Sequence, residues 1–141
     1  MASMISIITP AFNEAKNLPT LHERLVDVLS GLEMQWEWIV VDDHSSDSTW
    51  AVLQELAVRE PHLKAIRMAR NSGPHTAVFC ALQHAAGACA VVMAADLQDP
   101  PGTIPALLEK WRADAKIVWA VREEREGESA VTKGFARLYY G

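Results

Sequence analysis

The sequence predicts an α/β fold: a mainly parallel, Rossmann-like sheet with helices on both faces. Two observations predict it. Short apolar runs alternate along the chain with amphipathic helical patterns, the signature of strands joined by crossover helices. Nearly every run then breaks into a cluster of acids, amides, Gly, Pro or Ser, as loops at the rim of such a sheet do.

Each element has its own justification. Met4 to Thr9 is a strand, built almost wholly of Ile, Met, Ser and Thr. Asn17 to Leu29 is a helix, because Leu18, Leu21, Leu25, Val28 and Leu29 fall on one face. Trp36 to Val41 is a second strand, stopped by Asp42 and Asp43. Ser48 to Glu60 is a helix with Leu53, Leu56 and Ala57 facing inward, and Pro61 ends it. Asn17 and Ser48 suit the N-cap positions of these helices, with Asp47 flanking the second. Leu63 to Met68 is a short strand, and Thr76 to Ala86 a small-residue helix closed by Gly87. Ala90 to Ala94 reads as a buried strand, Thr103 to Arg112 as a helix, Ile117 to Val121 as a strand, and Glu128 to Tyr140 as a final helix. Trp36, Trp38, Trp111 and Trp119 are expected to be core or half-buried packing residues.

Composition removes several classes of function. A chain of 141 residues fits one domain able to bury a core without disulfides. Its net charge of −5 argues against a basic nucleic-acid-binding surface. No apolar run approaches the ~20 residues that span a bilayer, and nothing resembles a signal peptide. Cys80 and Cys89 match no metal or redox spacing, so a reducing cytoplasmic setting is expected. The chain breaks off inside the last helical pattern, which reads as a piece of a longer protein.

The segment with most chemistry is Ala94-Ala95-Asp96-Leu97-Gln98-Asp99-Pro100-Pro101. It stops an apolar run with acid, amide and acid, the hard oxygen donors that Mg²⁺ and Mn²⁺ prefer. Pro100 and Pro101 then force the chain out of the sheet. The plain alternative is a polar strand-to-helix loop in which Asp99 caps the next helix. Comparable clusters come after the other strands: Thr9 to Glu14, Asp42 to Asp47, Arg70 to Gly73, and Arg122 to Arg125. One such cluster is easily a helix cap; five at one sheet edge, where parallel sheets bind ligands, point to a ligand site. There is no G-x-G-x-x-G, no P-loop and no G-x-S-x-G, which disfavours dinucleotide-binding domains, P-loop NTPases and Ser-His-Asp hydrolases. Among other polar residues, His44 reads as a turn residue, and His75 and His84 are nine apart, not a ligand spacing.

Taken in order, Ile7-Ile8-Thr9-Pro10-Ala11-Phe12-Asn13-Glu14, Ile39-Val40-Val41-Asp42-Asp43-His44-Ser45-Ser46-Asp47-Ser48-Thr49, Arg70-Asn71-Ser72-Gly73 and Asp96-Leu97-Gln98-Asp99-Pro100-Pro101 resemble the family-2 inverting glycosyltransferases. The likeness is in particular to the branch of dolichyl-phosphate mannosyltransferase and bacterial polyprenyl-phosphate glycosyltransferases, and it runs from about Ile5 to Arg125. The resemblance implies a GT-A type catalytic domain that binds a nucleotide sugar. Pro10, Phe12 and Glu14 would line the nucleotide pocket, with Phe12 standing where a Tyr is usual. Val41, Asp42 and Asp43 would hold base and ribose, and Ala95, Asp96 and Gln98 the donor diphosphate. Asp96 and Gln98 would bind a divalent Mg²⁺ or Mn²⁺. The family's Asp-x-Asp is Ala94-Ala95-Asp96 here, so one carboxylate is absent and the metal site is weakened.

The acceptor implied is a polyprenyl phosphate, undecaprenyl or dolichyl. Arg122 and Arg125 would grip its phosphate, with Ser129 and Lys133 extending the patch, and Asp96 and Arg122 would be the catalytic pair. For Arg125 a solvated, self-paired charge run remains an equal alternative. The full-length protein would then sit at the cytoplasmic face of a membrane, touching it through residues outside this chain, and serve cell-wall biogenesis. Two other readings stay open at this point: transfer to a sugar hydroxyl, which needs a general base, and a non-catalytic nucleotide-binding module.

Overall fold

The computed structural model describes residues 3–121. Among these residues four strands form one parallel sheet: β1 (Met4–Ala11), β2 (Gln35–Asp42), β3 (Leu63–Arg67) and β4 (Cys89–Val92). Between them run α1 (Leu18–Leu29), α2 (Thr49–Arg59) and α3 (Pro74–His84), and a short 3₁₀ turn at Pro101–Thr103 leads into α4 (Ile104–Arg112). The spatial order is β3-β2-β1-β4. The chain therefore moves outward through β1, β2 and β3, then returns to the other side of β1. That reversal puts a crevice between the carboxyl ends of β1 and β4, where sheets of this kind bind ligands.

Period-two alternation sorts the strand residues into two cores. On one face Ile5, Ile7, Trp36, Trp38 and Val40 meet Leu18, Leu21, Leu25 and Leu29 of α1, Leu53 of α2, and Ile104 and Leu108 of α4. Buried Trp38 still satisfies its indole N–H, donating to Thr9 Oγ1 at 3.0 Å. On the other face Ile8, Ile39 and Val41 meet Ala77 and Ala81, whose small side chains let α3 lie close to the sheet. Helices thus cover both faces.

Several local expectations need correction. The strand Ala90–Ala94 is shorter, Cys89–Val92, and is half open rather than buried: Ala90 is exposed and Val92 is 53% exposed. α3 packs mainly on β1 and β2, which leaves the β4 end of that face bare. No strand forms over 117–121. Ile117, Trp119 and Val121 are exposed there, so Trp119 is not a packing residue. A cavity of about 670 Å³, lined by Val91, Met93, Leu107, Trp111 and Trp119 among others, lies between β4, α4 and this segment. A strand needs a neighbour to bond, and residues 117–121 and β4 line this cavity instead of pairing with each other.

α3 begins at Pro74, two residues earlier than expected, and ends at His84. Gly87 is not its cap: the Gly87 amide donates to Ser6 Oγ, and a Cβ at this position would lie 2.6 Å from that oxygen. Neither Asn17 nor Ser48 caps its helix through the side chain. The expected helix Glu128–Tyr140 lies outside the described residues, and within them no helix is long and apolar enough to cross a membrane.

Candidate functional site

The site is a rim of loops at the carboxyl ends of the strands, and the first three loops are bonded into one unit. After β1 the chain turns through Asn13, in left-handed conformation at φ 55°. Asn is among the few non-Gly residues that tolerate this region. The turn leaves Phe12 47% exposed at the rim. The Glu14 carboxylate accepts Asn17 Nδ2 at 2.7 Å, and the Glu14 amide donates to Thr49 Oγ1 at 2.9 Å. Asn17 thus donates through Nδ2 to Glu14, while its own backbone is already helical at φ −88° and ψ −29°, not the extended conformation from which an Asn oxygen caps.

After β2 the two adjacent acids do different work. Asp42 is fully buried; one oxygen accepts the Ser45 amide at 2.9 Å, and the other faces Arg67 Nε at 3.3 Å. Arg67 also donates to the Ser45 carbonyl and lies over the Trp50 ring at 5.9 Å, a cation held by charge and by an aromatic face. Asp42 thus shapes the loop from inside. Asp43 points across to the third loop, and its two oxygens accept the amides of Ser72 at 2.7 Å and Gly73 at 2.8 Å. Its own amide donates to the Ala11 carbonyl at 2.9 Å, tying it to β1. His44, also left-handed, meets the Met68 carbonyl at 3.1 Å and is a turn residue.

Asp47 closes the second loop, accepting both the amide and the hydroxyl of Thr49. Slight burial pushes its carboxyl up, but these bonds and the Ala15 amide outweigh that and hold it below the ordinary value. Asp47, flanking α2, is what satisfies the helix start.

The fourth loop leaves β4 beside β1. The Asp99 carboxylate accepts the Ala94 amide at 3.2 Å and Asp96 accepts the Gln98 amide at 3.1 Å, with Leu97 left-handed at φ 63° between them. Asp96 and Gln98 are exposed, Ala95 is buried, and Val41 turns its side chain into the α3 core. Val41 therefore offers the site only its backbone, and Pro10, half-buried opposite it in the ladder, lines the strand end. Among the described residues no three His, Cys, Asp or Glu side chains gather in a way that could hold a metal ion. The residues still fit one: Mg²⁺ sites are commonly one or two carboxylates completed by water and substrate phosphate. Asp96 and Gln98, both exposed residues, carry a carboxylate and an amide of the kind such a set uses.

Sheet order brings Pro10, Phe12, Glu14, Asp43, Asp96 and Gln98 to one edge, while Arg122, Arg125, Ser129 and Lys133 lie outside the described residues. Sequence reasoning missed Asn13, whose side chain joins the first two loops, and the Ser72 and Gly73 amides that donate to Asp43. An Asn in a tight turn was a usable signal; its partners, more than 30 residues away, were not.

Residues 6–137 match the family model for glycosyl transferase family 2. The chain is 32% identical over 136 residues to the bactoprenol glucosyl transferase of Shigella phage SfV, covering 96% of the chain and 44% of that protein. It is 38% identical over 123 residues to the undecaprenyl-phosphate 4-deoxy-4-formamido-L-arabinose transferase of Sodalis glossinidius, covering 86% of the chain and 38% of that protein. Among solved structures, the mannosyltransferase PcManGT from Pyrobaculum calidifontis, in complex with GDP-Man and Mn²⁺, superposes with a TM-score of 0.63 at 28% identity. That match covers 83% of the chain and 34% of PcManGT. The chain spans less than half the length of each of these proteins.

Proposed function

The chain belongs to glycosyltransferase family 2, and on that premise we propose that its protein transfers a sugar from a nucleotide-sugar donor to a polyprenyl phosphate, with inversion. The observation that carries this reading is the acid-bearing rim at the β1–β4 reversal, combined with two relatives named for bactoprenol and undecaprenyl phosphate.

In this reading Pro10, Phe12, Glu14 and the Val41–Asp43 turn hold the nucleoside end of the donor. Buried Asp42 keeps the turn in shape, and Asp43 presents its outer lone pairs to base or ribose while its others hold the third loop. The diphosphate lies toward Ala95, Asp96 and Gln98. Bound there by Asp96 and Gln98, Mg²⁺ or Mn²⁺ would supply charge neutralisation for the departing diphosphate. PcManGT, solved with Mn²⁺ and a GDP-linked sugar, supports the coarser reading that a related domain takes a nucleotide sugar and a divalent metal.

An acceptor phosphate is already anionic near neutral pH, so its oxygen attacks the sugar without a strong general base. It needs instead a cation to position it against a site lined with acids. Arg122 is assigned that part and Asp96 the metal-binding one, because a guanidinium binds phosphate through two parallel hydrogen bonds. Arg125 extends the same patch. Contact with a membrane, a cytoplasmic-facing site and a role in cell-wall building belong to this proposal.

The test is transfer from labelled UDP- and GDP-sugars by the full-length protein in detergent, with undecaprenyl phosphate or free sugars as acceptor. A lipid-linked sugar is expected to form only with the lipid phosphate present. Transfer to a sugar hydroxyl instead would overturn the acceptor class, and donor binding with no transfer to either would favour a non-catalytic module.

A further inference from the structure

We infer that Asn13 is a positioning residue for the nucleotide pocket, a single side chain that sets the first loop against the second. The inference rests on the donor site proposed for this rim. The Asn13 amide donates to Ser45 Oγ at 2.9 Å. Its side-chain oxygen accepts three donors from the second loop: the Ser46 amide at 2.9 Å, the Ser46 hydroxyl at 3.2 Å and the Asp47 amide at 3.3 Å. One oxygen thereby collects the donors of a turn 33 and 34 residues away.

The residue type follows from two demands made at once. The backbone is left-handed at φ 55°, which favours Gly, Asn and Asp. The converging donors require a short side chain ending in an acceptor, which Gly lacks. Only Asn and Asp meet both.

The consequence for binding comes from its neighbours. Phe12 and Glu14 flank Asn13 in the chain, and Ser45 to Asp47 come shortly after Asp43. Fixing Asn13 against that turn fixes the spacing between the residues assigned to the two sides of the nucleoside. Remaining ties hold the fold without it: the Asp43 amide on the Ala11 carbonyl, the Glu14 amide on Thr49, and the Ala15 amide on Asp47. Loss of the Asn13 oxygen should therefore loosen the pocket while the sheet stays intact.

The experiment compares full-length wild type with Asn13→Gly, which keeps the backbone conformation and deletes the acceptor, and Asn13→Asp, which keeps both. UDP and GDP affinities with Mn²⁺ are measured by calorimetry well below the melting temperature, alongside hydrogen exchange at the Ser46 and Asp47 amides. Expected are faster exchange at both amides and about tenfold weaker nucleotide binding in Asn13→Gly, since binding must then re-order loops that the lost bonds hold ready in the wild type. Asn13→Asp should recover most of both, and kcat at saturating donor should change much less than donor KM. Wild-type affinity in a less stable Asn13→Gly would overturn the inference, leaving a purely structural residue. Failure of the wild type to bind either nucleotide would remove the donor-site reading itself, and faster exchange in Asn13→Gly would still record the clasp.

Discussion

The Asp43 carboxylate accepts the Gly73 amide at 2.8 Å, joining the loop after β2 to the start of α3. Gly73 has φ 92° and ψ 159°, a conformation L side chains rarely adopt, so the loop reaches Asp43 only because this residue is glycine. The pair links a residue assigned to the donor with the helix that covers the second face of the sheet.

Two substitutions separate the roles of that link. Asp43→Ala deletes the acceptor of the Ser72 and Gly73 amides and should destabilise the protein by about 1–3 kcal/mol. It should also abolish nucleotide-sugar binding in the fraction that is folded. Gly73→Ala has open space for its methyl group, so its cost is the backbone alone, about 1–3 kcal/mol. Calorimetric titration of both variants with UDP- and GDP-sugars, beside their melting curves, decides the matter. Unchanged affinity in Asp43→Ala would take Asp43 out of the donor site.

Gly87 makes a purely structural prediction. A Cβ there would meet Ser6 Oγ at 2.6 Å and the Ser6 amide nitrogen at 2.7 Å, and the second of these is backbone in the centre of the sheet. Ser6 cannot swing away cheaply, because its hydroxyl donates to Glu37 at 2.6 Å and accepts the Gly87 amide. Gly87→Ala should cost about 1–3 kcal/mol as overpacking. Gly31→Ala, whose new atom would come no nearer than 3.5 Å to the Val28 carbonyl, should be close to neutral. Equal melting temperatures for the two variants would show that the β1–β4 junction yields more than its geometry implies.

Acid should unfold the chain partly through two buried glutamates. Burial pushes the Glu37 carboxyl up, but bonds from Lys64, Ser6 and the Ala86 amide bring it below the ordinary 4.5. Burial pushes Glu60 up as well, and His22, His62 and the His62 amide more than offset it. A carboxyl whose pKa is lower folded than unfolded stabilises the protein fully above the unfolded value and loses that contribution as pH falls through the folded one. Stability should therefore fall as pH drops below about 4.5. Glu60→Gln should start less stable at neutral pH and lose less on acidification. Parallel melting profiles for wild type and Glu60→Gln would exclude Glu60 as a source of the acid sensitivity.

How far the sequence could be read depended on how local each determinant was. The α1 stripe of Leu18, Leu21, Leu25 and Leu29 is a period within one element, and all four are buried. The Met4 and Trp36 strands carry enough Ile, Val and Trp to name themselves. The failures came where a neighbour decides. Ile117 to Val121 has strand composition, but strand formation needs a bonded edge, and that edge lies across a cavity. Ala90 and Val92 look buried by type, yet α3 does not extend over them. Asn17 suits a cap by residue type, but its backbone is helical where a capping residue is extended, and its side chain turns to Glu14. At the site, the acids after β2 and β4 were visible because polar residues stop apolar runs there. The division between buried Asp42 and loop-binding Asp43 was not, since it depends on Arg67 and on Ser72 and Gly73.

The metal assignment can be tested at Ala94, where the resemblance implies an acid. Ala94 stands two residues before Asp96, and its amide is tied to Asp99 Oδ2 at 3.2 Å, which holds this turn at the end of β4. A carboxylate placed at 94 would enter a turn that already carries Asp96 and Asp99. Without a cation the added charge should repel them and lower the melting temperature; with Mn²⁺ the same charge becomes a ligand. Ala94→Asp should therefore melt below wild type in chelator and recover on adding Mn²⁺ and UDP or GDP together. Mn²⁺ enhancement of nucleotide binding should rise by about tenfold, the effect of one further hard oxygen ligand worth roughly 1.4 kcal/mol. Asp96→Ala should remove the enhancement, because it deletes the one carboxylate assigned to the metal. Identical Mn²⁺ dependence in wild type and Ala94→Asp would place residue 94 outside the ligand set. Enhancement that survives Asp96→Ala would move the metal away from this loop.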